Sequence, residues 1–170
     1  TVSLDYFSDT GFSQSDGLTN VAGPIFNSQS NENKGRMVFT AVNGATTVNC
    51  TANFVYYITN GSNSCGFTTL AAGVWTVTAV HIDGGGNTSP TSDAVTLTID
   101  TSVPTAPTTT DLLAISDWGT SSTDNRTAST TPNFAVTALP ESTGTVEIKA
   151  VIGGTTYTCS YTSASTDQFC

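Results

Sequence analysis

Positively charged residues are scarce in this chain. Its 170 residues include four Lys and Arg against thirteen Asp and Glu, which gives a net charge of -9. Nucleic acids and anionic membranes are bound through cations that neutralise phosphate, so neither is expected as a partner. No apolar run reaches the roughly eighteen residues that a membrane helix requires, so membrane insertion is not expected either.

Helix-forming residues are also few, whereas Thr and Ser make up nearly a third of the chain. Local propensity therefore favours strands and turns, and the composition predicts an all-β protein. Runs rich in β-branched residues predict strands at residues 37–42, 54–59, 74–82 and 94–99, with turn residues between them. Many short strands separated by turns are typical of a β-sandwich.

The sequence contains an internal repeat. Sliding it against itself by 108 positions gives nine identities in a window of twenty-three. The first-copy members of these pairs are Leu4, Ser8, Asp9, Gly11, Ser13, Asp16, Thr19, Pro24 and Phe26. So many identities predict two copies of one structural unit.

A proline-containing stretch, residues 99–107, is the natural linker between the copies, because proline favours an extended spacer. We therefore predict one domain over residues 1–102 and a second over 103–170. The second copy lacks any equivalent of residues 67–99. The chain may be cut from a longer protein, the copy may be a small autonomous variant, or a neighbouring subunit may complete it by adding strands. No basic, apolar signal sequence opens the chain, so a mature or excised segment is expected.

Four cysteines match no zinc-binding spacing, which favours disulfide bonds. The expected pairs are Cys50 with Cys65 and Cys159 with Cys170, one pair in each copy. Disulfide bonds are typical of exported proteins. Sequons at Asn49, Asn60, Asn87 and Asn125 permit glycosylation, although chance explains them equally in a chain this rich in Thr and Ser.

Several motifs together resemble the bacterial Ig-like (Big-type) repeats of large surface adhesins. They are Ser8-Asp9-Thr10-Gly11 with Ser13 and Asp16, the segment 73–79, Asp83 with Gly86-Asn87, and Ile99-Asp100-Thr101 with Pro104. The resemblance implies tandem Greek-key β-sandwiches, export to the cell surface, end-to-end arrangement and often calcium at the junctions. The cysteines and the shortened second copy depart from the family pattern.

Clustered Asp residues suggest calcium, which takes six to eight oxygen ligands. The candidate ligands are Asp9, Asp16, Asp83, Asp100, Asp117 and Asp124. Asp83 and Asp100 could meet Asp117 and Asp124 across the linker, where an ion would stiffen the junction. The alternative is that these residues only cap turns, since Asp is common in Asx-turns.

No residue pattern predicts catalysis. His81 is the only histidine, no Gly-x-Ser-x-Gly motif accompanies it, and we interpret it as a strand residue at a sheet edge. Trp75 is expected in the core, whereas Trp118 lies in a predicted loop where it could contact a ligand.

The sequence therefore predicts a non-catalytic structural or adhesive module outside the cell, in a surface adhesin or an extracellular filament. The expected partners are other copies of the chain, assembled head to tail, or adjacent repeats. Two alternatives are a carbohydrate- or receptor-binding module and an accessory domain of a secreted hydrolase.

Overall fold

A computed structural model describes residues 1–29, 34–54, 62–107, 109–137, 144–162 and 169–170. The chain divides into two compact units, Thr1–Ser102 (unit 1) and Val103–Cys170 (unit 2). Within the described ranges the regular structure is entirely strand. No helix in these ranges is long and apolar enough to cross a membrane.

Unit 1 is a two-sheet sandwich of eight strands. Their bounds are β1 (Val2–Leu4), β2 (Leu18–Thr19), β3 (Ile25–Gln29), β4 (Gly35–Asn43), β5 (Thr46–Phe54), β6 (Ser62–Gly66), β7 (Gly73–Asp83) and β8 (Val95–Ile99). One sheet has the order β1-β3-β6 and the other the order β2-β8-β7-β4-β5. Every pairing is antiparallel except β2 with β8. This all-β arrangement is the class that the composition predicts, and the sandwich agrees with the Ig-like fold that the family resemblance implies.

The core of unit 1 follows from strand alternation. On β4, Met37, Phe39 and Ala41 are buried while the residues between them point outward. The inner residues of β7 meet them in register, with Phe39 opposite Ala79. Since successive side chains of a strand point to opposite faces, one apolar row from each strand fills the space between the sheets. The buried cluster also includes Phe26, Phe67, Leu70, Trp75, Val77, Leu97 and Ile99.

The strand positions add to the sequence interpretation. The predicted strand at residues 54–59 lies, beyond Phe54, outside the described residues, and β5 over Thr46–Phe54 was not predicted. At His81, β7 pairs with β4 on one side, whereas the pairing of β7 with β8 ends at Val77. On its other side the His81 carbonyl accepts a hydrogen bond from the N–H of Ser89 at 2.8 Å, and the His81 N–H donates to the Ser89 hydroxyl at 3.0 Å.

Unit 2 repeats part of this sandwich. Its strands are β9 (Thr109–Leu112), β10 (Phe134–Thr137), β11 (Thr145–Ile152) and β12 (Thr155–Thr162). They form two two-stranded sheets, β10-β9 and β11-β12. Leu112 opposes Phe134 as Leu4 opposes Phe26 in unit 1. The turn at Gly153-Gly154 has two positive φ angles, as a tight hairpin requires.

A small apolar cluster holds unit 2 together. It consists of Val136, Val146, Ile148 and Tyr161, with Phe134, Cys159 and Cys170 packed against it. Counterparts of β7 and β8 are not found among the strands described in this unit. The described strands of unit 2 thus correspond to β1, β3, β4 and β5 of unit 1.

Candidate functional site

A polar loop connects the first strands of each unit, at residues 8–19 in unit 1 and 116–127 in unit 2. In unit 1 the Ser8 hydroxyl accepts a hydrogen bond from the backbone N–H of Ile25 at 2.9 Å. Oδ2 of Asp9 accepts one from the N–H of Gly17 at 3.2 Å. Ser8 and Asp9 are both buried, so these side chains hold the loop against the sandwich.

The polar loop of unit 2 makes the same hydrogen bonds 108 residues later. The Ser116 hydroxyl accepts from the N–H of Asn133 at 3.0 Å. Oδ2 of Asp117 accepts from the N–H of Asn125 at 3.2 Å. The identities of the internal repeat therefore mark side chains that bind backbone groups of the loop.

One backbone position in each polar loop is left-handed. Gly17 has a φ of 71° and its counterpart Asn125 has a φ of 56°. Asn enters this region more easily than most residues that carry a side chain. Oδ1 of Asn125 also accepts a hydrogen bond from the N–H of Leu112 at 3.3 Å. Sequence comparison missed this position because the two copies use different residues there.

The second oxygen of each buried Asp is the most unusual feature of the polar loops. Asp9 is 3% exposed and Asp117 is 4% exposed. In the described part of the chain, no donor reaches Oδ1 of either residue. Burying a polar atom without a partner is costly, and both units repeat it. A cation is one ligand that would satisfy these atoms.

Oxygen-bearing side chains surround Asp9. A cleft next to it is also lined by Gln14, Ser15 and Asp16. The structure thus brings together two of the predicted ligands, Asp9 and Asp16. Among the described residues, however, no group of three or more His, Cys, Asp or Glu side chains could hold a metal ion. A cation at this cleft would need ligands from amide, hydroxyl or carbonyl oxygens as well.

Three of the predicted ligands, Asp16 among them, form Asx-turns. Oδ1 of Asp16, Asp100 and Asp124 accepts a hydrogen bond from the N–H two residues later, at 3.0, 2.9 and 3.2 Å respectively. Hydrogen bonding from Ser102 holds the pKa of Asp100 below its ordinary value. Turn formation accounts for these contacts without any ion.

Asp83 organises the turn after β7. Its Oδ2 accepts from the Asn87 side-chain amide, and its Oδ1 accepts from the N–H groups of Gly85 and Asn87, each at 2.8 Å. These hydrogen bonds, that from the Asn87 side chain above all, lower the pKa of Asp83. The turn lies in unit 1, as does Asp100, whereas Asp117 and Asp124 belong to unit 2.

The disulfide bonds join sheet to sheet. Cys50 on β5 is bonded to Cys65 on β6, so the bond connects the two sheets of unit 1. Cys159 on β12 is bonded to Cys170, whose backbone exchanges hydrogen bonds with Phe134 on β10. The Cα atoms are 5.9 and 5.8 Å apart. Each unit therefore has one covalent link between its layers.

The sequons occupy different environments. Asn49 is exposed on β5. Asn87 and Asn125 use their side chains to hold turns, as described above. Asn60 lies outside the described residues. Among the three sequons within the described residues, Asn49 thus combines exposure with a side chain for which no hydrogen bond is described.

The two tryptophans differ in exposure. Trp75 is 2% exposed, and its indole N–H donates to the carbonyl of Ala71 at 2.9 Å, so it is a core residue. Trp118 is 65% exposed, and its indole N–H donates to the carbonyl of Ile115. The Trp118 ring is thereby held on the surface of unit 2, where it can contact a ligand.

Comparison with known proteins agrees with this framework. A family model described as bacterial Ig-like domain matches residues 1–101. A search of curated proteins found no match. The family match spans all the strands of unit 1, including both sheets of its sandwich. The chain therefore belongs to the bacterial Ig-like domain family.

Proposed function

We propose that this chain is a structural or adhesive module of a bacterial surface protein, without catalytic activity of its own. The observation that carries the proposal is duplication: both units use the same buried Ser and Asp side chains to fix the same loop. A framework repeated along a chain suits a protein that works by extension and by contact with further copies or adjacent repeats.

An extracellular location is part of this proposal. Both disulfide bonds link the layers of a unit, and such bonds persist in oxidising compartments. Antibodies raised against the chain should label intact cells of the source bacterium as strongly as permeabilised ones. Labelling that requires permeabilisation would contradict the proposed location.

The proposed mechanical role can be tested by pulling on a single chain. We expect unit 1 to unfold in a single event. The gain in contour length at that event should increase when the Cys50–Cys65 bond is reduced, because the intact bond keeps the loop between the two cysteines, with a sequence separation of 15, from being extended. A chain that extends without resolvable resistance would contradict a structural role. A variant with both cysteines replaced by serine is the matched control, since thiol should leave its contour length unchanged.

Calcium binding at the polar loops is a further part of the proposal. It is supported by the buried Oδ1 atoms of Asp9 and Asp117, for which the protein supplies no described donor. A bound cation would provide the missing partner and neutralise a buried carboxylate. Asp16 lines the same cleft as Asp9 and could contribute a further oxygen.

We therefore expect added calcium to raise the melting temperature and a chelator to reverse the change. A ligand at a hundred times its dissociation constant stabilises by about 2.7 kcal/mol. Asp9→Asn and Asp117→Asn should each reduce the heat of calcium binding in calorimetry, whereas Asp93→Asn, at an exposed position, should not. Identical melting curves with calcium and with chelator would remove the ion from the proposal.

Carbohydrate or receptor binding is a second candidate, and the exposure of Trp118 favours it. Aromatic rings on a surface offer an apolar face to a ligand. Binding to a glycan array that is lost in Trp118→Ala, but kept in the exposed-site control Val103→Ala, would support this role. An array without signal for the wild-type chain would leave the structural role favoured.

A further inference from the structure

Two neighbouring aromatic rings, Tyr6 and Phe7, project from the turn that follows β1. Tyr6 is 58% exposed and Phe7 is 85% exposed. The rings contact each other edge to face, with their centroids 5.4 Å apart and their planes at 89°. In this geometry the edge of one ring covers a single face of the other, so the remaining ring faces are open to a partner. This pair of rings is the aromatic tip of unit 1.

The backbone that carries the aromatic tip is fixed. The carbonyl of Asp5 accepts hydrogen bonds from the N–H groups of Ser8 and Asp9 at 2.9 and 3.1 Å. Oδ1 of Asp5 accepts another from the N–H of Phe7 at 3.0 Å. The buried side chains of Ser8 and Asp9 hold this turn against the sandwich. A partner that binds the aromatic tip therefore loses little entropy in ordering the turn.

The same turn forms in unit 2 without aromatic rings. There the carbonyl of Leu113 accepts the two equivalent backbone hydrogen bonds, at 2.7 and 2.9 Å. Ala114 and Ile115 stand at the two positions of the aromatic tip. Folding of the turn therefore does not account for the rings of unit 1. Grouped apolar side chains on a protein surface are typical of an interaction site.

The surroundings of the aromatic tip are acidic. Residues 1–29 include three Asp and no Lys or Arg. The Asp5 carboxylate lies beside the tip, since its Oδ1 accepts the N–H of Phe7. Its Oδ2 accepts the side-chain amide of Asn27 at 2.9 Å, which fixes the orientation of the carboxylate. The aromatic tip thus combines open ring faces with a negative charge that is held in place.

The two cations of unit 1, Lys34 and Arg36, lie at the opposite end of the sandwich. Arg36 is at the start of β4, beside the end of β7. The aromatic tip follows Asp5, whose N–H donates to the carbonyl of Ile25, and Ile25 opposes Gly66. From Gly66 the chain crosses to the start of β7, so the tip lies at the end where β7 begins. An approaching cation is therefore attracted to this end and meets no positive charge of unit 1 there.

Both features of the aromatic tip select a cationic partner. The face of an aromatic ring carries negative partial charge and attracts a cation held over it. The Asp5 carboxylate adds a second attraction at the same place. Arginine fits better than lysine, because its planar guanidinium group stacks on a ring and presents several N–H donors to a carboxylate.

We propose that the aromatic tip of unit 1 binds an arginine-bearing segment of a different protein. The guanidinium group stacks on an open face of Tyr6 or Phe7, and the Asp5 carboxylate pairs with its charge. A second copy of this chain is a poor donor, because it carries only Arg36 and Arg126 on a net charge of -9, and like net charges repel. This inference goes beyond the structural or adhesive role proposed above and does not depend on calcium.

The test titrates the isotope-labelled 170-residue chain with a synthetic peptide that alternates Arg with Gly. We expect saturable changes in the NMR amide shifts of residues 5–9. A peptide with citrulline in place of each Arg keeps the planar end group without its charge, and it should bind at least about fivefold more weakly. Binding of the Arg peptide should also weaken as the salt concentration rises, because exposed charges are screened.

Matched variants locate the peptide on the chain. The double variant Tyr6→Ser, Phe7→Ser should bind at least about fivefold more weakly. Tyr157→Ser removes a ring that is 60% exposed in unit 2 and should leave binding unchanged. Asp5→Asn keeps an acceptor for the N–H of Phe7 but loses the charge, and it should weaken binding roughly threefold. Because both rings of the tip are exposed, the double variant should melt like the wild-type chain, which separates lost binding from lost folding.

Several outcomes would overturn the proposal. Equal binding of the Arg and citrulline peptides, or no binding of either, removes the cation from the account. An equal loss in Tyr157→Ser and in the double variant removes the aromatic tip as the binding surface. If the Arg peptide does not bind, whereas phosphatidylcholine vesicles or a glycan array bind the wild-type chain and not the double variant, the partner is a membrane or a carbohydrate.

Discussion

Replacing Ser8 with alanine removes the acceptor of a single, partly buried hydrogen bond. The Ser8 hydroxyl is 2.9 Å from the N–H of Ile25, and Ser8 is 4% exposed. Alanine fills nearly the same space, so packing changes little. The N–H of Ile25, at the start of β3, is left without its partner, and the loop is no longer tied to the strand.

The expected loss of folding free energy comes from the Ile25 N–H, which no longer has an acceptor. A buried donor that loses its acceptor costs about 1–3 kcal/mol. In a domain of about 100 residues, each kcal/mol lowers the melting temperature by roughly 4–8 °C. We therefore expect Ser8→Ala to lower the melting temperature of unit 1 by at least about 4 °C.

Thermal unfolding followed by tryptophan emission gives the melting temperature, and denaturant unfolding gives the free energy of unfolding. Emission reports on unit 1 because Trp75 is buried there while Trp118 is already exposed. The control is Ser13→Ala in the same loop, whose hydroxyl makes exposed hydrogen bonds with the N–H and the hydroxyl of Ser15, each at 3.3 Å. It should cost less than about 0.5 kcal/mol. Equal losses in the two variants would refute the role assigned to burial.

Two further predictions concern turns. Gly17→Ala places a Cβ 2.7 Å from the carbonyl oxygen of Thr96, whereas no described atom lies within 4 Å of a Cβ at Gly44. Both changes cost about 1–2 kcal/mol for a left-handed residue, so calorimetry should show the larger loss for Gly17→Ala. Asn87→Ala should raise the pKa of Asp83 towards its ordinary value, as followed by NMR titration. The Asp83 carboxylate stabilises the folded state above its unfolded-state pKa, and this stabilisation is lost as the pH falls through the lower folded-state pKa. Asn87→Ala brings the folded-state pKa closer to the unfolded-state pKa, so the variant should lose this stabilisation over a narrower pH range.

Much of the fold could be predicted because strand signals are local. The β-branched run around Trp75 became β7, and the run before Asn43-Gly44 became β4, since alternation and a turn residue are visible in a few positions. The strand β5 was not predicted, although Val48, Cys50, Ala52 and Phe54 alternate with polar residues along it. Its backbone pairs with β4 at nine positions.

The polar loops were predictable in their residues but not in their geometry. Self-comparison identified Ser8 and Asp9, yet it interpreted Asp only as a metal ligand or a turn residue. Burial of Asp9 depends on how the loop folds back against the sandwich, which is a long-range property. The pairing of β2 with β8 was missed for the same reason, since Leu18–Thr19 becomes a strand only beside a partner about eighty residues away.

That parallel pairing determines how unit 1 meets tension along the chain. Leu18 and Thr19 lie beside Thr98 and Ile99, and the N–H groups of Thr98 and Asp100 donate to the carbonyls of Gly17 and Thr19 at 2.7 and 2.8 Å. The strands β2 and β8 are parallel, and they lie towards the N-terminal and the C-terminal end of unit 1 in the sequence. A force that pulls these two chain ends apart therefore slides one strand along the other. The hydrogen bonds between the two strands are then loaded at the same time, in shear, and do not break one after another. This short contact therefore resists unfolding of unit 1 under force.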